Sequence, residues 1–425
     1  MAEQRSDGGA NLNEAIRQSL ILVLAGGRGS RLKNLTDTEA KPAVAFAGKF
    51  RIIDFALSNC VNSGMRRVGV LTQYRAHNLI QHVQRGWGSF RAEFDEFVEV
   101  WPAQQQTAAE SWYSGTADAV YQNIDLIESH DPKYVVILGG DHIYKQDYSK
   151  MLEHHIRSEA AATVACLEVP VDQAREFGVM DVDANDQIIN FLEKPAEPPE
   201  LPSRPGWSLA SMGIYIFNRD LLVEQLRRDA LLEDSSHDFG KDLIPYLVPK
   251  VKVMAHSFSK SCVGLDTKNE PYWRDVGTLD AYWEANMDLT HVTPELDLYD
   301  PNWPIWTYQV QRPAAKFVFN DDKRRGYAVD SLVSAGCVVS GSAVERSLLF
   351  TDVRINSYSV VTDSVILPRA DVGRKCTLIK CIVGPDTVIP DGLEIGVDPE
   401  LDAKRFYRTE GGVTLVTKEH IDKLT

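Results

Sequence analysis

A chain of 425 residues is too long for one ordinary hydrophobic core and points to two or three domains. Its 44% hydrophobic content can supply those cores, while a formal net charge of −15 argues against binding nucleic acid or an anionic membrane through bulk electrostatics. Anionic ligands must therefore be held by local basic groups. The six cysteines, Cys60, Cys166, Cys262, Cys337, Cys376 and Cys381, form no CxxC or Cys/His ligand spacing, which disfavours a zinc site or a disulfide framework and fits a reducing cytosol.

Residues 1–16 open on the polar MAEQRSDGGANLNEA and are expected to form a short flexible start. No run of about 18 apolar residues occurs anywhere, so a cytoplasmic protein without a membrane span is expected. Residues 19–25 (SLILVLA) form a continuous apolar run, as a parallel strand buried on both faces requires. Gly26, Gly27 and Gly29 then allow the backbone to approach phosphates and turn its N–H groups toward them. No Gly-Lys-Ser/Thr follows, and Leu32 stands where the last glycine of GxGxxG belongs, so neither common phosphate loop fits. A tight strand-to-helix turn would explain the glycines alone equally well. Arg31 and Lys41 shift the balance toward a nucleoside triphosphate site, and Pro42 is expected to hold Lys41 extended.

The apolar runs continue with residues 67–72 (RVGVLT), 134–140 (YVVILGG), 162–169 (ATVACLEV), 188–195 (IINFLEKP) and 209–217 (LASMGIYIF), separated by longer mixed segments. This alternation predicts an open α/β sheet over residues 17–295 with helices on both faces. In such sheets ligands sit beyond the carboxyl ends of the strands. Gln73, Asp141, Glu193 and Lys194 follow such runs closely.

Residues 296–330 change texture, with Pro301, Pro304 and Pro313 breaking any long element, and read as a linker that packs down through its tryptophans. From residue 331 an apolar side chain recurs every six positions with occasional slips of one: Val338, Val344, Ile355, Val361, Ile366, Val372, Leu378, Val383, Ile389 and Ile395. Such a period builds triangular coils of parallel β-helix over residues 331–425. The final TLVTKEHIDKL is expected to add a closing strand and a short helix.

Residues 26–44 (GGRGSRLKNLTDTEAKPAV) resemble the signature of the sugar-nucleotide pyrophosphorylases. Residues 50–62 (FRIIDFALSNCVN), 112–120 (WYSGTADAV), 139–147 (GGDHIYKQD), 236–245 (SHDFGKDLIP) and 271–278 (PYWRDVGT) narrow the resemblance to the bacterial ADP-glucose pyrophosphorylases, over nearly the whole chain. The resemblance implies a Rossmann-like, mostly parallel nucleotidyltransferase sheet followed by a left-handed parallel β-helix. The implied reaction joins ATP and glucose 1-phosphate into ADP-glucose, a donor for glycogen, with release of pyrophosphate. The attacking phosphate oxygen is already ionised, so the chemistry needs neither a protein nucleophile nor a strong base, only neutralised charge and alignment.

On that resemblance Asp141 and Asp275 would hold Mg²⁺, although an isolated aspartate after a strand otherwise reads as a helix N-cap. Arg31 and Lys41 would neutralise the departing phosphates. Leu24, Ala25, Gly26, Gly27, Gly29, Gln73, Gln105, Gly115 and Thr116 would take ATP. Tyr113, Gly178, Glu193, Lys194, Ser211 and Asp238 would take glucose 1-phosphate, with Trp273 as a sugar platform. His142 is expected to be structural, supporting the loop of Asp141.

The resemblance further implies a homotetramer tuned by phosphorylated sugars or glycolytic intermediates and inhibited by AMP or phosphate. Enteric-type members carry a basic pair where Thr38 and Glu39 stand here, so part of their effector pocket is missing; Arg51 and Lys418 match its other basic positions. An acyltransferase built on the β-helix would need a histidine base there, and residues 331–400 contain none. A non-catalytic subunit is disfavoured by the retention of Arg31, Lys41, Asp141, Lys194 and Asp275. A relative using UTP or GTP is the nearest rival.

Overall fold

The computed structural model describes residues 12–27, 29–37, 39–73, 75–103, 113–264, 270–321 and 323–424. Strands Ser19–Leu24 (β1), Arg67–Thr72 (β2), Phe97–Pro102 (β3) and Tyr134–Gly139 (β4) pair in the order β3-β2-β1-β4, all parallel. β1, β2 and β4 are buried almost throughout, because helices cover both faces and no polar alternation is needed. Beyond β4 the sheet changes direction. Ala162–Pro170 (β5), Gly178–Val182 (β6), Ile188–Glu193 (β7), Trp207–Asn218 (β8) and Val253–Ser257 (β9) complete nine strands, with β8 antiparallel to β4, β5 and β6. Each apolar run singled out in the sequence is a strand of this sheet.

Two departures concern the ends of this domain. Residues 12–17, inside the segment expected to be flexible, form a helix whose Ala15 is buried and accepts a hydrogen bond from Ser19 Oγ at 2.8 Å. The β-helix begins at Lys316–Val318, inside the expected linker, where that strand pairs with Val338–Ser340 and Tyr327–Val329 pairs with Ala343–Glu345. This first coil escapes the six-residue pattern because one side of it is uncovered and residues such as Phe317 remain exposed.

The second domain is a left-handed parallel β-helix of three stacked sheets. Its early coils step by 16 residues, as from Val339 to Ile355, and the later ones by 17, visible in hydrogen bonds such as Ser359 N to Ser342 Oγ and in the ladder Val344, Val361, Leu378, Ile395. Seventeen is one short of three sixes, which produces the slips in the apolar repeat. Val339, rather than Val338, points inward on the first full coil. Thr414–Val416 closes one sheet against Cys381–Val383, and the helix Lys418–Asp422 follows.

The domains share one apolar core in which Phe46, Phe55 and Tyr282 meet Phe350 and Val353. Trp283 Nε1 donates to Asp363 O at 2.8 Å across the junction. The proline-broken strap lies on the helix Ile52–Asn62 (α1), with Trp303 Nε1 donating to Asn59 Oδ1 at 2.9 Å.

Behind the sheet, burial, with His154 and Lys260 nearby, pushes His256 down to about 3, and burial pushes His155 down to about 4. Both rings stay neutral in the fold, whereas the unfolded chain protonates them near pH 6.5. The stability they confer is complete above that pH and is lost as pH falls toward the folded values. Acidification from pH 7 to 5 should cost about 2 kcal/mol through His256 alone. Melting temperatures of the wild type and a His256→Leu variant at both pH values check this, because the variant should lose less on acidification.

Candidate active site

The glycine turn leaves β1 while still tied to the sheet. Ala25 N donates to Leu71 O at 2.9 Å, and Gly140 N donates to Leu24 O at 3.0 Å, so the ends of β1, β2 and β4 are held level. Beyond them opens a cavity of about 500 Å³. Leu24, Gly26, Gly27 and Gln73 line one side, Tyr113, Gly115 and Thr116 one end, and Gly178, Glu193, Ser211, Asp238 and Trp273 the other. Fourteen of the expected site residues, Lys41 and Asp141 included, share this cavity.

Asp141 follows β4 after the single residue Gly140 and leads into the short strand His142–Tyr144, not into a helix, so the capping reading fails here. That strand pairs antiparallel with Trp273–Asp275, in a register that sets Asp275 opposite His142. The ribbon is what brings two distant aspartates together. Lys41 Nζ donates to Asp141 Oδ2 at 2.9 Å and to Asp275 Oδ1 at 2.8 Å. Arg31 approaches Asp275 from outside, Nη2 to Oδ2 3.5 Å, with 63% of its side chain exposed.

The charges reinforce one another. Burial would raise Asp141, but His142 and Lys41 beside it hold its carboxyl down at about 2. Burial would lower Lys41, yet the two aspartates carry it above the ordinary lysine value. The donor atoms of Asp141, His142 and Asp275 lie within 4.8 Å of one another. Two carboxylates are hard oxygen donors of the kind a divalent cation such as Mg²⁺ takes, so these residues fit a metal. His142 was expected only to support the loop; its Nε2 lies 3.6 Å from Asp141 Oδ1 and its ring packs on Trp273 with centroids 4.9 Å apart. It therefore belongs to the site's electrostatics.

Several expected residues act from the periphery. Ala25 is buried and bonded into the sheet. Gly29 has φ +62, and a Cβ there would lie 2.8 Å from Lys41 Cβ, so this glycine packs the lysine stem rather than facing the cavity. Lys41 opens a 3-10 turn, Lys41–Ala43, and the extended residue is Ala40, one position earlier than the proline rule suggested. Lys194 lies exposed just beyond the cavity wall, with φ +47 and its N–H bonded to Phe177 O at 3.0 Å. Gln105 falls outside the described residues.

Among the residues expected to take glucose 1-phosphate, Asp238 does two structural jobs. Its Oδ1 caps the turn Phe239–Leu243 by accepting from Gly240 N and Lys241 N, and its Oδ2 accepts from Thr116 Oγ1 at 2.9 Å. Thr116, assigned to the nucleotide, is thus also a tie between the two ends of the cavity. Glu193 sits between Gly178 and Gly240, where burial and then Asp238 raise its pKa. Gln73 Oε1 accepts from Tyr113 N at 2.8 Å, which fixes both at the cavity mouth. Sequence reasoning passed over Glu176, Phe177, Phe239 and Gly240, all in the lining. Gly240 had a signal, since it stands inside the SHDFGKDLIP segment.

The second expected site is only partly assembled. A cavity of about 330 Å³ between the domains is lined by Lys49, Arg51, His82, Arg85, Arg312 and Arg369 among others. Arg51 is engaged there by Glu39 at 3.2 Å and by the Ala43 carbonyl. Lys418 is exposed at the start of the last helix and does not line this cavity, so its pairing with Arg51 is not realised. Thr38 lies outside the described residues.

Paired carboxylates around one buried ammonium, at the carboxyl ends of parallel strands and beside a glycine turn, are the working parts of a nucleotidyltransferase. A nucleotidyl transferase family profile matches residues 20–292, and one described as GlmU-like, C-terminal hexapeptide matches residues 313–416. The chain is 64% identical over 411 residues to the glucose-1-phosphate adenylyltransferase of Rhodospirillum rubrum, covering 97% of both chains. It is 60% identical to the Paramagnetospirillum magneticum protein of that name (97% of this chain, 96% of the relative) and 59% identical to that of Rhizobium meliloti (96% and 97%). The chain belongs to the glucose-1-phosphate adenylyltransferase family, within the nucleotidyltransferases.

Proposed function

We propose that this enzyme converts ATP and glucose 1-phosphate to ADP-glucose and pyrophosphate, supplying glucosyl units for bacterial α-glucan synthesis. The observation that carries the reading is the Lys41 ammonium bonded to both Asp141 and Asp275, with Lys41 and Asp141 in the lining of the cavity. Lys41 and Arg31 neutralise charge that builds on the departing pyrophosphate. Lys194 holds the phosphate of the sugar so that its ionised oxygen lies in line with the α-phosphorus, and Glu193 accepts from sugar hydroxyls. Gln73, Gly115 and the glycine turn seat the nucleotide, while Trp273 gives the sugar an apolar face. Asp141 and Asp275 would hold Mg²⁺, which supplies Lewis-acid stabilisation of phosphate charge when bound.

We also propose that the protein works in the cytoplasm as a homotetramer, and that the cavity between the domains takes a phosphorylated effector, with AMP or phosphate as inhibitor. The basic lining supports this, and Glu39 beside Arg51 argues for selectivity unlike that of enteric-type relatives. Pyrophosphate release with glucose 1-phosphate and Mg²⁺, comparing ATP, UTP and GTP with and without fructose 6-phosphate, tests both readings. Strong ATP preference is expected. Preference for UTP or GTP would replace the product and keep the mechanism, and an Arg51→Ala enzyme that retained full activation would remove Arg51 from the effector site.

A further inference from the structure

Within hydrogen-bond distance the Lys41 ammonium faces two carboxylates, and its side chain is only 6% exposed. Among the described residues, those two are its ion-pair partners. The ammonium thus stands inside the cluster of oxygen donors that fits a divalent cation. We propose that Lys41 is an internal counter-ion that keeps the Asp141–Asp275 pair closed to a free metal ion until a nucleoside triphosphate draws the ammonium away. Metal entry and triphosphate entry are then coupled. The inference rests on the triphosphate reading of the cavity.

Charge balance carries the argument. Two carboxylates held together repel, and one ammonium relieves that repulsion without any ligand. A divalent ion arriving alone would meet a pair already half neutralised, with a buried positive charge at contact distance; it must either share the site against that repulsion or separate the ammonium from the two carboxylates that are its ion-pair partners among the described residues. A triphosphate seated on Gly26 and Gly27 removes the obstacle, because Lys41 lines the same cavity and gains phosphate oxygens in exchange for carboxylate oxygens. The local packing suits such a swing. The lysine stem packs at its root against Gly29, while the three methylenes beyond Cβ give Nζ rotatable bonds about which to turn.

Uptake of Mn²⁺ by the full-length protein, followed by equilibrium dialysis and by the resonance of the free ion, tests this without turnover. The wild type should take up Mn²⁺ alone weakly, and at least about tenfold more tightly with α,β-methylene-ATP bound. A Lys41→Met variant should take up Mn²⁺ alone at least about tenfold more tightly than the wild type, whereas Lys41→Arg, which keeps the charge, should stay near wild type. Should Lys41→Met not fold, the wild type still decides: equal Mn²⁺ uptake with and without the bound analogue overturns the proposal. If the analogue binds and Lys41→Met matches wild type with Mn²⁺ alone, only the counter-ion role falls. If the analogue does not bind at all, the triphosphate reading itself falls.

Discussion

An Asp141→Asn enzyme should lose at least about a thousandfold in kcat while melting within a few degrees of the wild type. The asparagine fills the same space and can still accept from Lys41, which also keeps Asp275 at 2.8 Å. What disappears is a full negative charge. The carboxyl of Asp141, held at about 2, is ionised at every working pH, so no buffer restores in the variant what the amide lacks. A thousandfold is about 4 kcal/mol of transition-state stabilisation, the size expected when one preorganised charge is deleted from a nucleotidyl-transfer site. Pyrophosphate release under saturating substrates, beside a thermal melt, separates the two effects. A loss under tenfold in a folded variant would take Asp141 out of the reacting centre.

Why the sequence disclosed so much of this site, and not all of it, follows from which forces act locally. A strand buried on both faces must be apolar at every position, so residues 19–25 and 134–140 announce themselves, and the ligand-bearing turns are their neighbours in the chain. The β-helix is legible for the same reason, since each coil repeats one inward position per side. Where burial is one-sided the pattern fades: the first coil at Lys316–Val318 carries no repeat, and the inward residue is Val339 rather than Val338 because the step from Val339 to Ile355 is 16 residues where later coils take 17. Convergence across the chain is harder still. That Asp275 faces His142 depends on the register of a three-residue ribbon, and that Lys418 stays out of the cavity lined by Arg51 depends on how two domains pack. Resemblance supplied Asp141 and Asp275 as a pair; nothing in the residues alone gave Lys41 as their bridge.

Gly115→Ala should damage both the fold and the activity. Gly115 is extended, with φ −158, so backbone freedom is not at issue; space is. An added Cβ would lie 2.6 Å from the His237 carbonyl carbon and closer still to the carbonyl oxygens of Ser236 and His237. Those atoms cannot yield cheaply, because His237 O accepts from Ala117 N at 2.8 Å and Asp118 N at 3.2 Å, and Thr116 Oγ1 is tied to Asp238. To admit the methyl, the start of helix Thr116–Tyr121 must part from the turn that carries Asp238 and Gly240, opening the cavity where we propose that nucleotide and sugar phosphate meet. A stability loss of about 2–3 kcal/mol and an activity loss of at least about a hundredfold are expected. Gly240→Ala is the contrasting case. Its Cβ would meet Glu193 Oε2 at 2.6 Å, the far end of a flexible side chain that can swing aside. That variant should melt near the wild type and show a KM for glucose 1-phosphate raised by about tenfold with kcat largely kept, since binding is lost equally in ground and transition states. Thermal melts and sugar-phosphate saturation curves for both variants decide the matter. A Gly115→Ala protein with wild-type melting and turnover would mean that the two ends of the cavity are not locked through this contact.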